Sequence, residues 1–598
     1  MRGRVLKRVA VVAGLSAGLL GGLAVPAAAA PPAYSTTTLH FAVTGQDGQP
    51  CDVVADAYVP NGLSASNTAP AILTTNGFGG SKDDLKPVAD MFTQRGYVVL
   101  AYSGLGFGGS GCRISFDTPN PDGRAASRLV DYLGGAAGAA YLDAAHTRPA
   151  PVLNVVTKDS SAHDGRPHAH DPRVGMVGGS YGGQIQFAAA ATDPRIDAIA
   201  PMVTWNDLSY SLSPNNTGQT TGVSTHNPGA PKINWDSSLA LAGIMSGVTN
   251  ADVDPMRLTG CPNYPPQICT ALAQAVTTGV MDESVRARLR AGSVASYLNR
   301  IRIPTLLIQG QTDTLFNINE ALATYRGLQA NGIDTKMIWM SGGHSALPEP
   351  GDYVEKAPNA TTQYTAGRIA GWMDHYLLGS SASTGPQFSY YRSWVGYSGN
   401  AAPAYASADT VDVGTPSTYR LSGNDGLAAP GGPVQAGLAR FTTPPFGLPT
   451  NHDAPDALGL INVPENDIPG TFAQWSSPAL TSSLDVVGSP KVTLRVRTTV
   501  GANVPAVQQL VLFYRVEDVD ASGHATTVGN LVAPARIADP TKPFTVTMPA
   551  FAHRFDPGHR LRLVISGGST NYRGGQSALP VAISAGAGQT VTLPVVAG

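Results

Sequence analysis

The chain has 598 residues, of which 13% are charged, about half of the roughly 25% that is typical of globular proteins. Its formal net charge of −2 provides no basic field for a nucleic-acid partner, and 42% hydrophobic residues are enough to build large cores, which excludes global disorder. The 68 glycines and 47 prolines indicate many turns, so we predict a soluble globular protein poor in surface charge.

The first 29 residues have the three regions of a secretory signal peptide. A basic start, MRGRVLKR, precedes an apolar run over residues 9–25 and the small residues of 26–30. The alternative is a membrane anchor, but the run contains several glycines and no basic residue follows it. We therefore expect cleavage near Ala29 and a secreted protein whose net charge changes from −2 to −6 as four basic residues leave. Since no later apolar run is long enough to span a bilayer, no integral membrane segment is expected in the mature chain.

Export permits disulfides, and the chain has four cysteines, which allow three pairings. Cys261 and Cys269 lie in one Pro-rich segment, CPNYPPQIC, and can pair locally, which leaves Cys51 for Cys112. We favour these two pairs. No CxxC or Cys/His spacing supports a zinc site, so no metal is expected.

Residues 34–378 are predicted to form an α/β domain around a parallel sheet. Short runs that are apolar throughout and bounded by turn residues indicate strands buried on both faces, at residues 71–75, 97–102, 174–177, 199–203, 304–308 and 336–340. Helix-compatible segments alternate with them, at residues 86–95, 182–191, 318–330 and 361–378. The alternation lapses over about 207–300, which we interpret as a cap inserted between two strands.

The composition and the periodicity change after residue 378. Residues 379–386 read GSSASTGP and predict a linker. Beyond it the hydrophobic period is two, since Leu561, Leu563 and Ile565 alternate with Arg562 and Val564. Several such strands between Gly/Pro turns predict a β-sandwich over residues 387–598.

The motif GGSYG at residues 178–182 fits the G-x-S-x-G pattern of a nucleophile elbow. The pattern alone is weak, because GLSAG in the signal peptide fits it too. Only Ser180 follows a predicted buried strand and precedes a helix-compatible run, a context that would lift its Oγ above the edge of the sheet. Ser180 is therefore the candidate nucleophile, and an inert serine in a Gly-rich turn is the alternative.

A nucleophilic serine needs a base, and the base needs a carboxylate that orients it. In a sheet of this kind the chain order is Ser, then acid, then His. Asp313 follows the predicted strand at 304–308, and His344 follows the next one. Each residue alone could be a loop residue, but their order, strand context and spacing together predict a Ser180–Asp313–His344 triad.

Two N–H donors are needed to stabilise the oxyanion of an acyl-transfer intermediate. One is expected from the backbone of Tyr181, the residue after the nucleophile. The other is expected from the glycine-rich segment 76–80, NGFGG. The Phe78 N–H is our first candidate for this donor, and the Gly79 N–H is the second.

Other polar clusters carry weaker signals. His163, His168 and their neighbours crowd residues 163–171 without a metal-ligand spacing, so a solvated loop is expected. The glycine-rich segment 104–111 lacks the residues of a phosphate-binding loop, and no cofactor is expected. Trp205, Asn206 and Asp207 either line a substrate pocket or pack within the cap.

The segments GGSYGG (178–183), GQTDTLF (310–316), GGH (342–344) and GHRLRLVIS (558–566), with the trailing β-domain, resemble peptidase family S15. This family comprises Xaa-Pro dipeptidyl-peptidases and cocaine-esterase-like acyl hydrolases. The resemblance implies an α/β-hydrolase domain with a helical cap and a jelly-roll-like C-terminal sandwich, with Ser180 as nucleophile, Asp313 as acid and His344 as base.

The chain departs from the family pattern in two places. Cocaine-esterase-like members have an oxyanion-hole tyrosine in an Asn-Pro-Tyr segment, where this chain has Asn76-Gly77-Phe78. The family's Asp-x-Arg-Gly segment corresponds to an uncharged Ala-Tyr-Ser-Gly at 101–104. The donor at this position must therefore be a backbone N–H or be absent, while the triad is unaffected.

The sequence thus predicts a secreted serine hydrolase that works through an acyl-enzyme. We favour a dipeptidyl-peptidase that releases Xaa-Pro from peptide N-termini, with an acyl esterase of the cocaine-esterase type as the alternative. A peptidase of this kind needs a carboxylate for the substrate amine, and the candidates are Asp207, Asp236, Asp252, Asp254 and Glu283. An alternative of another class is a binding protein that has this fold but no catalytic activity.

Overall fold

The structure, a computed structural model, describes residues 34–451 and 467–597. The predicted signal peptide lies outside these residues. The first part of the described chain alternates strands with helices: β1 (Tyr34–Thr44), β2 (Pro50–Pro60), β3 (Ala71–Thr75), α1 (Lys86–Thr93), β4 (Val98–Tyr102), α2 (Arg124–Leu133), β5 (Val174–Gly179), α3 (Tyr181–Ala190) and β6 (Ala198–Met202).

A mainly helical segment then interrupts the alternation, as predicted for the cap. It consists of α4 (Leu208–Leu212), a small hairpin of β7 (Gln219–Thr221) and β8 (Ser224–Thr225), and the helices α5 (Ile233–Thr249), α6 (Gln267–Thr278), α7 (Glu283–Ala291) and α8 (Val294–Tyr297). The alternation resumes with β9 (Thr305–Gly310), α9 (Ile318–Ala330), β10 (Thr335–Met340), α10 (Tyr364–Leu378), β11 (Phe388–Tyr391) and β12 (Tyr405–Ala408).

Ten strands of the described chain form one sheet in the order β1-β2-β4-β3-β5-β6-β9-β10-β11-β12. The strands from β4 to β11 in this order are parallel to one another, and antiparallel pairs form the two edges. Every residue of β3, β4 and β6 is buried, because helices and apolar clusters cover both faces of the sheet. The continuous apolar runs were therefore interpreted correctly as central parallel strands.

The first sheet does not end where the sequence predicted the linker. Residues 379–387 connect α10 to β11, which pairs in parallel with β10, and β12 then pairs with β11. The predicted boundary between residues 378 and 387 therefore does not coincide with the edge of the sheet. The FSYY segment of β11 is too short to be assigned from its own pattern, and its hydrogen bonds to β10 decide its place.

The rest of the described chain is a β-sandwich. Its strands are β13 (Thr415–Ser422), β14 (Gly426–Ala428), β15 (Leu438–Thr442), β16 (Phe472–Ser476), β17 (Leu484–Gly488), β18 (Lys491–Leu494), β19 (Leu510–Val519), β20 (Ala525–Thr527), β21 (Ala533–Ile537), β22 (Phe544–Thr547), β23 (Phe551–Phe555), β24 (Arg560–Ser566), β25 (Pro580–Ser584) and β26 (Thr590–Val596). The pairing is antiparallel except between β14 and β16. The alternation predicted for β24 is confirmed at its start, since Leu561 and Leu563 are buried in the sandwich core while Arg562 between them is partly exposed.

Two disulfides are present among the described residues, in the pairing favoured from the sequence. Cys51 is bonded to Cys112 and Cys261 to Cys269. Within residues 34–451 and 467–597, no helix is both long and apolar enough to cross a membrane.

Candidate active site

Ser180 lies in the sharp turn between β5 and α3, as the motif predicts. Its φ of 56° is in the left-handed region that a residue with a side chain rarely adopts. The turn also brings α3 against β3, so that a Cβ atom on Gly182 would lie 2.3 Å from the carbonyl oxygen of Thr75. Glycine is therefore required at position 182 by lack of space, and the strained serine is held by the strand on one side and the helix on the other.

The loops after β9 and β10 bring Asp313 and His344 to this same edge of the sheet. The Nε2 atom of His344 lies 2.8 Å from the Oγ of Ser180, and its Nδ1 atom lies 2.7 Å from Oδ2 of Asp313. The carboxyl ends of parallel strands lie at the same edge of a sheet, which is why Ser180, Asp313 and His344 meet although they are distant in sequence. The three predicted residues thus form one continuous hydrogen-bonded chain.

The carboxylate of Asp313 is fixed by the backbone of its own loop. It is fully buried, and its Oδ1 accepts hydrogen bonds from the N–H groups of Leu315 (3.0 Å) and Phe316 (2.8 Å). Gly343, just before the histidine, packs so closely that a Cβ atom on it would lie 2.6 Å from the Cβ of Asp313. The acid and the histidine are therefore held in contact by backbone geometry as well as by their hydrogen bond.

Lys232 is a positioning residue that the sequence analysis missed. This buried lysine precedes α5, and its Nζ donates to the carbonyl oxygens of Thr314 and Leu315, at 2.7 Å each. One turn later, the ring of Trp235 lies edge-on to that of His344, with centroids 6.1 Å apart. The start of α5 is thus fastened to the loop that follows Asp313. No local sequence pattern indicated this, because the contact joins residues some 80 positions apart.

The two residues predicted to supply oxyanion donors line the cavity that opens at Ser180. Tyr181 is the first residue of α3, and Phe78 follows β3. Their rings are in edge contact, with centroids 5.7 Å apart, and both residues line the same cavity as Ser180. In the described ranges, neither backbone N–H donates to a protein acceptor, so both remain available to a ligand.

A cavity of about 110 Å³ opens at Ser180 and extends under the cap. Its wall is almost entirely apolar and comes from the loop after β3, the loop after Asp313 and the helices α4 to α7. Trp205 lines this cavity, whereas Asn206 and Asp207, which the sequence grouped with it, do not. The lining residues are Phe78, Phe116, Ser180, Tyr181, Trp205, Leu208, Leu212, Asp236, Leu239, Ala240, Tyr264, Ile268, Ala271, Leu272, Ala275, Met281, Val285, Leu289, Leu315 and Phe316.

Asp236, in the first turn of α5, is the charged residue among these lining residues. Its Oδ1 is shielded from solvent and has no hydrogen-bond partner in the described chain. Burial raises the pKa of Asp236 well above its usual value, and the charge of Lys232 offsets only part of this effect. A shielded carboxyl oxygen without a partner is costly, and a ligand that donates a hydrogen bond there would remove the cost.

The other four carboxylates that could hold an amine do not line this cavity. Asp207 is fully buried and accepts hydrogen bonds from Ser209 and Ser224, while Asp254 accepts from the N–H groups of Cys112 and Met256. Asp252 and Glu283 are exposed, and Glu283 pairs with Arg286. Of these five carboxylates, Asp236 is the one that lines the cavity.

Two histidines of the loop at residues 163–171 pair with separate carboxylates. His168 contacts Asp164 at 2.9 Å, and His163 contacts Asp197 at 3.4 Å. Among the described residues, no group of three or more His, Cys, Asp or Glu side chains could hold a metal ion.

Two sequence models of known families match this chain. The model described as X-Pro dipeptidyl-peptidase (S15 family) matches residues 47–346, which is half of the chain. The model of the X-Pro dipeptidyl-peptidase C-terminal non-catalytic domain matches residues 447–575, within the sandwich. No curated protein sequence matches the chain.

Solved structures share the fold over almost the whole chain. An aminopeptidase from a marine sediment archaeon (Thaumarchaeota archaeon) is similar with a TM-score of 0.65 and 13% identity, over 94% of this chain and 97% of its own. A CocE/NonD family hydrolase from Staphylococcus aureus has a TM-score of 0.60 and 13% identity over 93% of both chains. An α-amino acid ester hydrolase has a TM-score of 0.58 and 16% identity over 95% of this chain and 98% of its own. The predicted fold, an α/β-hydrolase domain with an inserted cap followed by a β-sandwich, is confirmed.

Proposed function

Because the chain belongs to the S15 peptidase family, we propose that it is a secreted serine hydrolase that releases Xaa-Pro dipeptides from peptide N-termini. Membership in this family makes the protein a hydrolase.

In the proposed mechanism, Ser180 attacks the carbonyl carbon of the scissile bond while Nε2 of His344 accepts its proton. Asp313 holds the imidazole in the required orientation and stabilises its protonated form. The N–H groups of Tyr181 and Phe78 donate to the oxyanion of the tetrahedral intermediate. His344 then gives its proton to the leaving amine, which departs and leaves an ester between Ser180 and the dipeptide. Water, activated by His344, hydrolyses this ester and restores Ser180.

The observation that carries the peptidase proposal is the carboxyl group of Asp236. A free α-ammonium is what distinguishes the N-terminus of a peptide from an internal segment, and it needs a carboxylate in a cavity with little water. Asp236 lines the cavity that opens at Ser180 and has a shielded oxygen without a partner in the described chain. The apolar remainder of the wall suits a proline ring.

The substitution Asp236→Asn tests this assignment, because it retains the shape of the side chain and removes its charge. Loss of one partner from a shielded charge pair costs about 2 kcal/mol or more, so kcat/KM for Ala-Pro p-nitroanilide should fall by at least about thirtyfold. The fall for p-nitrophenyl butyrate, which has no amine, should be much smaller. An equal loss on both substrates would contradict the amine-binding role.

The pH dependence gives a second test of Asp236. Since its pKa is raised, Asp236 loses its charge at a higher pH than an ordinary aspartate does as the medium is acidified. We expect KM for Ala-Pro p-nitroanilide to rise in that range, while KM for p-nitrophenyl butyrate stays level. The Asp236→Asn variant should lack this difference between the substrates.

An acyl esterase is the second candidate function, and the apolar wall of the cavity favours it. Apart from Asp236, nothing in the lining requires a charged substrate. Turnover of p-nitrophenyl esters without cleavage of Ala-Pro or Gly-Pro anilides would establish the esterase and end the peptidase proposal.

A binding protein without catalysis is the alternative of another class. The hydrogen-bonded arrangement of Ser180, His344 and Asp313 argues against it. A fluorophosphonate probe should label the wild type and should not label Ser180→Ala. Failure to label the wild type would favour the binding protein.

A further inference from the structure

The cavity at Ser180 extends into the cap, whose helices supply much of its wall. Asp236 and Ala240 lie one turn apart on α5, so this cap helix forms one side of the cavity. The further wall consists of paired positions four residues apart on three helices, Leu208 and Leu212 on α4, Ala271 and Ala275 on α6, and Val285 and Leu289 on α7.

Residues four apart on a helix lie on one face, about 6 Å from each other along the axis. Each of these three helices thus presents two apolar side chains, one helical turn apart, to the cavity. The alanines of α6 leave room where larger side chains on α4 and α7 face the cavity. We call this part of the cavity the channel, and its wall extends over at least one turn of each of these helices.

Apart from Asp236, the wall of the cavity presents mainly carbon atoms. The hydroxyl group of Tyr264 donates to the carbonyl oxygen of Leu239 at 2.6 Å, and that of Tyr181 accepts from the N–H of Asp117 at 3.2 Å. Both hydroxyl groups are thus used by the backbone, and the rings are left to face the cavity. A ligand group in this channel gains from burial of methylene groups and finds few polar partners.

We propose that this channel binds an unbranched apolar chain on the acyl side of the scissile bond. In an Xaa-Pro substrate the chain is the side chain of Xaa, and in an ester it is the acyl chain. The inference rests on the proposed function only in that acylation of Ser180 places the substrate at the mouth of the channel. Ala271 and Ala275 are the specificity-determining residues, because their small side chains keep the channel open.

The wild-type enzyme tests the proposal with two series of substrates. One consists of Xaa-Pro p-nitroanilides in which Xaa is Gly, Ala, norvaline or norleucine, and the other of p-nitrophenyl esters from acetate to octanoate. Burial of each methylene group should raise kcat/KM by about fourfold until the chain reaches the end of the channel. A flat or falling profile in both series would overturn the proposal.

The two series also separate failure of the channel from failure of the proposed function. A rise along the esters with no cleavage of any anilide would refute the peptidase and support the channel. Cleavage of all anilides at equal kcat/KM, with a flat ester series, would support the peptidase and refute the channel.

Ala275→Leu fills the channel, and Ala287→Leu is the matched control. Ala275 is 2% exposed and lines the channel, whereas Ala287 is exposed on α7 and does not line it. We expect the ratio of kcat/KM between the longest and the shortest substrate to fall at least tenfold in Ala275→Leu and to be unchanged in Ala287→Leu. Because both substrates are measured on one preparation, an unfolded fraction cancels from the ratio. An unchanged ratio in Ala275→Leu would overturn the proposal.

Discussion

Arg536 of the sandwich forms hydrogen bonds to the cap, and its replacement by methionine should destabilise the contact between the cap and the sandwich. The guanidinium group is buried, with the residue 1% exposed, and it donates to the carbonyl oxygens of Gly229, Gly279 and Ala506. Gly229 lies in the segment that leads into α5, and Gly279 ends α6 in a left-handed conformation. One side chain thus holds the segment before α5 and the end of α6, and both helices line the active-site cavity.

The magnitude follows from two opposing contributions. Three hydrogen bonds from a charged donor contribute about 2 kcal/mol each, or about 6 kcal/mol together. Burial lowers the pKa of Arg536 to about 10, a penalty on the charged form that corresponds to about 3 kcal/mol. Arg536→Met loses the hydrogen bonds, about 6 kcal/mol, but also removes the penalty of burying the charge, about 3 kcal/mol. The variant should therefore be about 3 kcal/mol less stable than the wild type.

Urea unfolding and steady-state kinetics measure the effect. We expect the first unfolding transition of Arg536→Met to shift to lower urea, and KM to rise as α5 and α6 lose their anchor. The control is Arg573→Met, since Arg573 is partly exposed and donates to the carbonyl oxygens of Val276 (2.7 Å) and Thr277 (3.2 Å). Its loss should cost only about 1 kcal/mol. If Arg536→Met were no less stable than Arg573→Met, and its KM were unchanged, the anchoring role would be refuted.

Two further predictions concern the elbow and the sandwich. Gly182→Ala places a Cβ atom 2.3 Å from a carbonyl oxygen at the end of β3, so we expect activity to fall at least about a hundredfold. The control is Gly371→Ala in α10, where the nearest neighbouring atom is 4.0 Å from the added Cβ. This variant should retain activity and gain up to about 1 kcal/mol of stability in thermal unfolding. Burial alone would raise the pKa of Asp518, but hydrogen bonds from His553 (2.9 Å) and His559 (2.8 Å) outweigh it and lower the pKa. Because the pKa of Asp518 is lower in the folded state than in the unfolded state, the ionised carboxylate stabilises the fold above the unfolded value near 4, and this stabilisation is lost as the pH falls through the folded value. Asp518→Asn should therefore be less stable than wild type at pH 6, and the difference should disappear as the medium is acidified below the folded pKa. A stability difference that stays constant with pH would contradict this role.

Much of the first domain could be predicted from local patterns. The helix at residues 318–330 has the predicted bounds, and the apolar run at 71–75 is a strand with every residue buried. Such segments can be recognised from their local sequence. A strand covered on both faces is largely apolar, and an amphipathic helix repeats its apolar positions about every 3.6 residues. The helix at Arg124–Leu133 was missed, although six of its ten residues are buried, including Leu129 and Leu133.

Edge elements were the least predictable part of the fold. β11 has four residues and follows a segment with the composition of a linker, so nothing in it shows that it extends the first sheet. Its partner β10 lies some fifty residues earlier. Pairing across such a distance is decided by the shape of the assembled sheet and not by the local pattern.

The sequence by itself determined the chemical identity of the candidate site. The glycines around Ser180 are a local steric requirement, and the positions of Asp313 and His344 after successive apolar strands follow from the order of a parallel sheet. Only the tertiary structure decided which of five carboxylates lines the cavity, because that depends on how α5 lies over Ser180 and on contacts such as that of Lys232 with the loop after Asp313. Local patterns report the faces of single elements, whereas a cavity is enclosed by faces of several, and only their packing brings these faces together.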